Sequence, residues 1–306
     1  MKVLFAGTPE VALPSLTALM AAGHEIVAVL TRPDAPLGRK RIMTPSAVAA
    51  RAQELGLPVI KANKVDSGTA AAIAAAGPEV AAIVAYGALV PEHALGIPPL
   101  GWVNLHFSLL PAWRGAAPVQ HAVINGDEVT GASTFLLEKG LDTGPVFGTM
   151  TEAIGPADTS AGLLRRLAHS GALLLAQTLD GLGAGQLVGV PQQGDVSLAP
   201  KLTLEDGRVR WGDPALAVNR RIRGVSYEPG AWTMLAGQRF KLGPVAMRSD
   251  VQGLPPGRLR LDAGAVLVGT GSHAVELVDV QPAGKKMMKA SDWARGLANK
   301  EETVFE

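Results

Sequence analysis

The sequence contains no cysteine and only six histidines. The missing thiols exclude disulfides and thiolate metal sites and fit a reducing compartment, so we expect a cytoplasmic protein. No two histidines have metal-ligand spacing, which disfavours a zinc centre. The apolar run at residues 3–6 is too short for a signal segment or a membrane span and is typical of a first buried strand.

A glycine-rich turn for dinucleotides is also missing. The first turn of the chain, Gly7-Thr8-Pro9-Glu10, has a single glycine and lacks the G-x-G-x-x-G pattern. NAD or FAD bound in the usual manner is therefore disfavoured.

Neither sign of charge dominates the chain, whose formal net charge is +1. The charge is uneven, because residues 201–306 hold 16 Lys and Arg against 12 Asp and Glu. A mildly basic segment is usually a solvated surface, so this excess is only weak evidence for a polyanionic partner.

The first part of the chain has the pattern of an α/β domain. Residues 2–6 predict a strand, residues 11–22 a helix that ends near Gly23, and residues 25–30 a second strand. A strand–helix–strand opening predicts a parallel sheet with right-handed crossovers. The strongly apolar run at 80–85 is typical of a central strand in such a sheet. We therefore expect a Rossmann-like α/β domain.

The rest of this domain is predicted from the same signals. Residues 31–45 predict a loop, because they contain three prolines and the basic cluster Arg39-Lys40-Arg41. Residues 181–200 have little pattern and predict a connection between domains. The remaining predicted elements are a helix capped by Ser46, a strand at 59–60, a helix at 68–76, strands at 131–138 and 147–153, and a helix at 161–179.

The pattern changes from residue 201 onwards to short alternating segments separated by turns. Several short strands within about a hundred residues predict a small OB-like β-barrel, interrupted by one helix at 214–223. Trp211 and Trp232 are predicted to lie in its core. The predicted strands are 209–211, 230–234, 239–245, 257–261, 265–268 and 274–280.

Three polar residues form the best candidate for a catalytic site. Asn104 and His106 are two residues apart at the end of a predicted strand, so their side chains leave the same face. Asp142 lies in the loop between two apolar runs. An isolated histidine is usually a hydrogen-bonded core or surface residue, but amide, imidazole and carboxylate together can supply an oxyanion donor, a proton carrier and a group that orients the imidazole. No serine or cysteine nucleophile accompanies them, which favours direct attack by a nucleophile of the substrate.

Several longer motifs surround these three residues. They are Asn104-Leu105-His106, residues 108–120 (SLLPAWRGAAPVQ), residues 140–144 (GLDTG), residues 5–9 (FAGTP) and residues 281–286 (QPAGKK). Together they resemble the folate-dependent formyltransferases, and the resemblance extends over essentially the whole chain. The run at 108–120 is similar to the branch of that family that acts on aminoacylated transfer RNA.

The resemblance implies a reaction, its cofactor and its partner. The formyl group of 10-formyltetrahydrofolate would pass to the α-amine of methionyl-initiator tRNA, with Asn104, a protonated His106 and Asp142 as catalytic residues and without a metal. A monomer that binds tRNA and no membrane is expected. The implied folate-binding residues are Tyr86, Gly87, Leu89, Ser108, Leu109, Leu110, Pro111, Gly140 and Leu141.

The resemblance also implies that catalysis and tRNA binding belong to different domains. Residues 1–190 would form the catalytic domain, 191–204 a linker, and 205–306 the tRNA-binding OB-like domain. Each basic side chain alone is more often a solvated charge; together they make a plausible backbone-binding set. The implied tRNA-binding residues are Arg39, Lys40, Arg41, Arg220, Arg221, Lys285 and Lys286.

Three other functions fit parts of the sequence. A formyltransferase acting on a small amine is disfavoured by the basic loop and the C-terminal barrel. A formyltetrahydrofolate hydrolase would use water as its nucleophile, and formate release without an amine would reveal it. A nucleic-acid-binding protein with an inactive transferase domain is disfavoured by the intact Asn104, His106 and Asp142.

Overall fold

A computed structural model describes residues 1–38, 40–297 and 303–306 of the chain. These residues form two compact units, each assembled from separate stretches of sequence. The first unit comprises Met1–Gly115, Val129–Ala153 and Leu164–Ala199, and the second comprises Ala116–Glu128, Ile154–Leu163 and Pro200–Glu306. The predicted domain boundaries stay a prediction.

The first unit is built on a seven-stranded sheet whose order is β5-β2-β1-β6-β7-β8-β9. The strands of this unit are β1 (Lys2–Gly7), β2 (Glu25–Thr31), β3 (Ala35–Leu37), β4 (Ile42–Thr44), β5 (Val59–Lys61), β6 (Val80–Val84), β7 (Trp102–His106), β8 (Val129–Leu136) and β9 (Val146–Ala153). The helices are α1 (Leu13–Ala21), α2 (Ala47–Glu54), α3 (Ser67–Ala76) and α4 (Glu92–Leu95), and a longer helix, α6 (Ser160–Gly183), enters this unit at Leu164.

The first five strands in the sheet order, β5-β2-β1-β6-β7, are parallel to one another. This arrangement confirms the Rossmann-like prediction. Strands β8 and β9 are antiparallel. A parallel β8 would need a crossover helix packed on the sheet. The helix between β7 and β8, α5 (Pro118–Asn125), belongs to the second unit instead.

Local signals explain where several elements begin and end. The Ser46 hydroxyl accepts a hydrogen bond from the Ala49 N–H at 3.0 Å, which is the expected N-cap of α2. Gly77 ends α3 in the left-handed region, at φ 63°, where glycine avoids a steric penalty. Strand β6 is buried along its whole length, as a central parallel strand should be.

The loop predicted at 31–45 contains a short hairpin that the sequence did not reveal. Strands β3 and β4 pair antiparallel, with Leu37 opposite Ile42. The side chains of these two residues are exposed, so the hairpin does not bury an apolar face. Without that burial, the sequence lacks the alternation that marks a half-buried strand.

The second unit is an antiparallel β-domain, as predicted, with two four-stranded sheets ordered β10-β11-β16-β17 and β12-β15-β14-β13. Besides α5 and the start of α6, it contains the helices α7 (Ala215–Gly224) and α8 (Ala290–Arg295). Its strands are β10 (Ala231–Leu235), β11 (Gln238–Leu242), β12 (Val245–Gln252), β13 (Leu259–Asp262), β14 (Ala265–Val268), β15 (His273–Leu277), β16 (Asp279–Gln281) and β17 (Met288–Lys289).

Several details of this unit differ from the predictions, which included neither helix α8 nor strands β12 and β17. Residues 209–211 form no strand, because their pairing is limited to the Arg208–Trp232 bridge and a bond from Val209 N–H to the Trp232 carbonyl. The predicted strand at 239–245 stops at β11, where Gly243 and Pro244 follow. The one at 274–280 is divided between β15 and β16. Trp211 and Trp232 are buried, which confirms their predicted place in the core.

Helix α6 is the longest of the described helices, at 24 residues. In the described ranges no helix is both long enough and apolar enough to cross a membrane.

Helices α5 and α7 of the second unit pack closely because Gly224 has no side chain. A Cβ built on Gly224 would lie 2.4 Å from Cγ1 of Ile124 and 3.0 Å from the Gln120 carbonyl oxygen. Both distances are shorter than an ordinary van der Waals contact between these atoms. The two helices could not approach this closely with a larger residue at this position.

We therefore expect Gly224→Ala to destabilise the second unit by roughly 1–3 kcal/mol, the usual cost of overpacking. Gly212→Ala is the matched control, because a Cβ at Gly212 meets nothing within 4 Å. Urea unfolding of both variants and the parent measures the difference. Equal stability of the two variants would contradict the proposed close packing.

Candidate active site

Strand β7 presents the two candidate residues Asn104 and His106 on one face of the sheet. Leu105 between them points the other way and is 2% exposed, as the alternation predicts. Asn104 lies opposite Phe135 of β8 and opposite Ile83 of β6. Its side-chain amide is partly exposed and makes no hydrogen bond to any described residue. The amide is therefore free to donate to a ligand.

His106 is buried, at 6% exposure, and its ring position is fixed by the main chain. Nε2 lies 3.0 Å from the Trp113 carbonyl oxygen. A carbonyl can only accept, so Nε2 carries the proton in the neutral ring. Nδ1 then has the lone pair, and it faces Oδ2 of Asp142 at 3.8 Å.

Burial lowers the pKa of His106 below its usual value of 6.5. The nearby Asp142 carboxylate and the bond to the Trp113 carbonyl oppose this shift without overcoming it. Desolvation disfavours the charged imidazolium more than these partners stabilise it. Burial therefore favours the neutral ring in the free protein, and the role expected for a protonated His106 in the reaction stays a prediction.

The Asp142 carboxylate is held beside His106 by a main-chain donor. Gly115 donates its N–H to Oδ2 of Asp142 at 2.7 Å. Gly115 has φ +126°, and a Cβ there would lie 2.6 Å from the Ala199 carbonyl oxygen, so this turn requires glycine. Asp142 itself has φ 51°, an uncommon conformation for a residue with a side chain.

Two further residues, from the segment predicted to be a linker, contact this site. Gln192 donates from Nε2 to the carbonyl oxygens of Asp142 and Gly144 at 2.8 and 2.9 Å. Its Oε1 accepts from Nε and Nη2 of Arg114 at 3.1 and 2.7 Å. Ser197 accepts from the Trp113 N–H through Oγ at 2.8 Å. No local motif marks either residue, because both act on residues far away in the chain.

The predicted folate-binding residues after β6 form an open turn. The Tyr86 side chain is buried, and its hydroxyl donates to the Ala62 carbonyl oxygen at 3.1 Å, so only its main chain can face a ligand. Burial also raises the pKa of Tyr86. From Gly87 to Val90 the main chain makes no hydrogen bond to a described residue, and Leu89 is 83% exposed.

Most of the predicted folate-binding residues after β7 are buried. Ser108 is buried and donates to the Ala112 carbonyl oxygen at 2.6 Å. The Leu110 N–H is bound by the Ser133 hydroxyl at 3.2 Å. Pro111 is buried and Leu109 partly exposed, whereas Gly140 and Leu141, beside Asp142, are exposed. Any role of these residues in folate binding stays a prediction.

The predicted tRNA-binding residues lie in three segments of the chain. Lys40 and Arg41 are exposed at the tip of the β3–β4 hairpin, and Arg39 lies outside the described residues. Lys285 and Lys286 are exposed between β16 and β17. In α7, Arg221 donates to the Asp206 carbonyl oxygen at 2.9 Å, and Arg220 lies against Gly126 and is partly buried.

Comparison with known proteins agrees with this arrangement. A family model described as formyl transferase matches residues 1–179, and one described as formyl transferase, C-terminal domain, matches residues 201–298. The chain belongs to the formyl transferase family. The methionyl-tRNA formyltransferase of Paenarthrobacter aurescens strain TC1 is 68% identical to it over 306 residues, which is 100% of both chains.

Solved structures support the fold. HypX from Aquifex aeolicus in complex with tetrahydrofolic acid superposes with a TM-score of 0.66 at 17% identity, covering 99% of this chain and 48% of that one. Methionyl-tRNA formyltransferase from Clostridium thermocellum gives a TM-score of 0.56 at 16% identity, covering 81% of this chain and 94% of that one.

Within the described part of the chain, no group of three or more His, Cys, Asp or Glu residues could hold a metal ion.

The lowered pKa of His106 predicts a pH-dependent stability. Between that lowered value and the unfolded value of about 6.5, the unfolded chain binds more protons at this residue, so the free energy of unfolding rises with pH. We expect His106→Gln to flatten this rise in urea unfolding between about pH 5 and pH 8. His24, whose pKa burial also lowers, is present in both proteins and cancels. Parallel curves would contradict the lowered pKa.

Proposed function

We propose that this chain transfers the formyl group of 10-formyltetrahydrofolate to the α-amine of methionine esterified to initiator tRNA. The observation that carries the proposal is the end-to-end 68% identity to a methionyl-tRNA formyltransferase. The free amide of Asn104 beside the His106–Asp142 pair supplies the chemistry that such a transfer needs. The proposal includes a monomeric enzyme in the cytoplasm, and the absence of cysteine fits such a reducing compartment.

The residues around Asn104 fit a folate. The pterin ring has an amide-like edge with donors and acceptors, and the open main chain from Gly87 to Val90 has unused partners for such an edge. This turn follows β6, which pairs with β7 at Ile83 and Asn104. The exposed Leu89 and Leu141 side chains offer apolar surface for the ring faces. Bound 10-formyltetrahydrofolate would supply the one-carbon unit as an N-formyl group.

We assign different roles to the three polar side chains. Asn104 donates a hydrogen bond to the formyl oxygen as negative charge develops there, an effect worth about 10²–10³ in rate for a single donor. His106 accepts the proton of the attacking amine at Nδ1, directly or through water. Asp142 stabilises the imidazolium that results. In the overall transfer a C–N bond forms at the amine, a C–N bond to the folate breaks, and the amine proton ends on the folate nitrogen. This chemistry requires no metal.

Acid gel electrophoresis of methionyl-tRNA tests the proposed function, because formylation changes the charge of the amino group. We expect a mobility shift only with both 10-formyltetrahydrofolate and the protein present. Parallel reactions replace the tRNA by an amino sugar nucleotide, by glycinamide ribonucleotide or by water alone. Formate release in water at the rate of tRNA formylation would overturn the proposal in favour of a hydrolase, and preferential formylation of a small amine would also overturn it.

We expect Asn104→Ala, His106→Ala and Asp142→Ala each to lower kcat by about 10²-fold or more, the scale of one lost electrostatic or acid–base contribution. Asn104→Asp should be at least as damaging, because it places a negative acceptor where a donor is needed. His93→Ala, at an exposed position of α4, is the control. Near-normal kcat in the His106→Ala protein would disprove the assigned mechanism.

The basic hairpin gives a separate prediction about tRNA. Because Lys40 and Arg41 are exposed, we expect their alanine variants to raise the KM for tRNA and to reduce the log–log salt dependence by about one unit each. For Arg39, which the family resemblance assigns to positioning the acceptor end, we expect a kcat loss of roughly 10²-fold.

Steady-state kinetics of these three variants at two salt concentrations measure both effects. Lys2→Ala is the control, because Lys2 is an exposed cation at the N-terminal end of β1, away from the strand ends that carry the hairpin. Three variants indistinguishable from the parent would show that the cluster is only a solvated surface.

A further inference from the structure

The amide of Gln192 uses its complete hydrogen-bonding capacity within the candidate site. A glutamine side chain has two N–H donors and an oxygen with two lone pairs. Nε2 donates to the Asp142 and Gly144 carbonyl oxygens, and Oε1 accepts twice from the Arg114 guanidinium. All four bonds are between 2.7 and 3.1 Å. The opposite orientation of the amide would place its N–H groups against a cation, so its direction is fixed.

These bonds join the two backbone segments that hold the His106–Asp142 pair. One segment is the turn at Trp113, Arg114 and Gly115, which supplies the carbonyl for His106 Nε2 and the N–H for the Asp142 carboxylate. The other is the Asp142 loop itself. Gln192 bonds to the side chain of the first segment and to the main chain of the second.

The Asp142 loop needs such an anchor because of where it begins. Strand β8 ends at Leu136, opposite Val103 near the start of β7. The chain must then return along β7 to bring Asp142 within 3.8 Å of His106 at the end of that strand. Asp142 is also held at φ 51°, a conformation that persists only where the surroundings enforce it.

We propose that Gln192 is a positioning residue of this site, whose amide joins the Arg114 turn to the Asp142 loop and so sets the separation between Asp142 and His106. The proposal deepens the proposed function and rests on it for its kinetic consequences. Gln192 does not contact the reacting atoms. Its effect on the reaction passes through Asp142.

Two substitutions separate the contributions of its amide. Gln192→Ala removes all four bonds. Gln192→Glu keeps the size and the contact with Arg114 but has no N–H for the Asp142 and Gly144 carbonyl oxygens, and it places negative charge against them. If the N–H bonds position the loop, the two variants should be impaired alike. Gln193→Ala is the matched control, because Gln193 is adjacent, exposed and without a hydrogen bond to any described residue.

The first measurement is steady-state formylation. For Gln192→Ala and Gln192→Glu we expect kcat to fall by roughly 10- to 10²-fold, the scale of a displacement of about 1 Å in a catalytic group. KM for the folate should change by less than about twofold, because no bond to the ligand is assigned to Gln192. Gln193→Ala should match the parent.

The second measurement is the pKa of His106, followed by NMR with labelled histidine and assigned by the signal that His106→Gln removes. The charged group facing His106 is Asp142, and its carboxylate raises the pKa of the imidazole. A displaced Asp142 carboxylate should therefore lower the His106 pKa in Gln192→Ala, which introduces no charge of its own. A role confined to fold stability would lower the melting temperature and leave this pKa unchanged.

The two measurements together distinguish a positioning role of Gln192 from a purely structural one. A reduced kcat together with a lowered His106 pKa supports the positioning role. An unchanged His106 pKa in folded Gln192→Ala overturns it, whatever the kcat, and so does a kcat of either variant within about twofold of the parent. If the parent itself does not formylate methionyl-tRNA, the proposed function fails, while the NMR titration still decides whether Gln192 positions Asp142.

Discussion

The candidate site depends on one hydrogen bond, from the Gly115 N–H to the carboxylate of Asp142. It is a charge-assisted bond of 2.7 Å, and such bonds are about twice as strong as neutral ones. Because the donor is main chain, its position is fixed by the turn, and the carboxylate cannot rotate away from His106 without losing this bond. The turn also requires glycine at position 115, because the Ala199 carbonyl oxygen occupies the space that a Cβ would need.

The burial of the His106–Asp142 pair explains its resting state. Removing an imidazole from water costs more when it is charged, and one carboxylate at 3.8 Å does not restore the loss. Before the reaction, the His106 imidazole is therefore a neutral base whose Nδ1 lone pair faces Asp142. Proton uptake becomes favourable only while an amine is being acylated and made acidic, which couples the proton transfer to bond formation.

The features that depend only on neighbouring residues could be predicted from the sequence. The alternation around Leu105 placed Asn104 and His106 on one face, and Ser46 marked the start of a helix. The roles of Gln192 and Ser197 could not be read in this way, because their partners lie far away in the chain. The direction of β8 was equally hidden, since it depends on where α5 packs, and the hairpin of β3 and β4 lacks a buried face that would have produced a pattern.

The division of the second unit among three stretches of sequence has a consequence during synthesis. Helix α5 leaves the ribosome long before α7, which covers it through the contact at Gly224. Domains generally fold as units, in order of emergence, but here the last stretch, Pro200–Glu306, must arrive before the second unit can close. A nascent chain halted between α6 and α7 would expose Ile124 of α5, which packs against the core of the finished second unit, and chaperones bind such apolar surface.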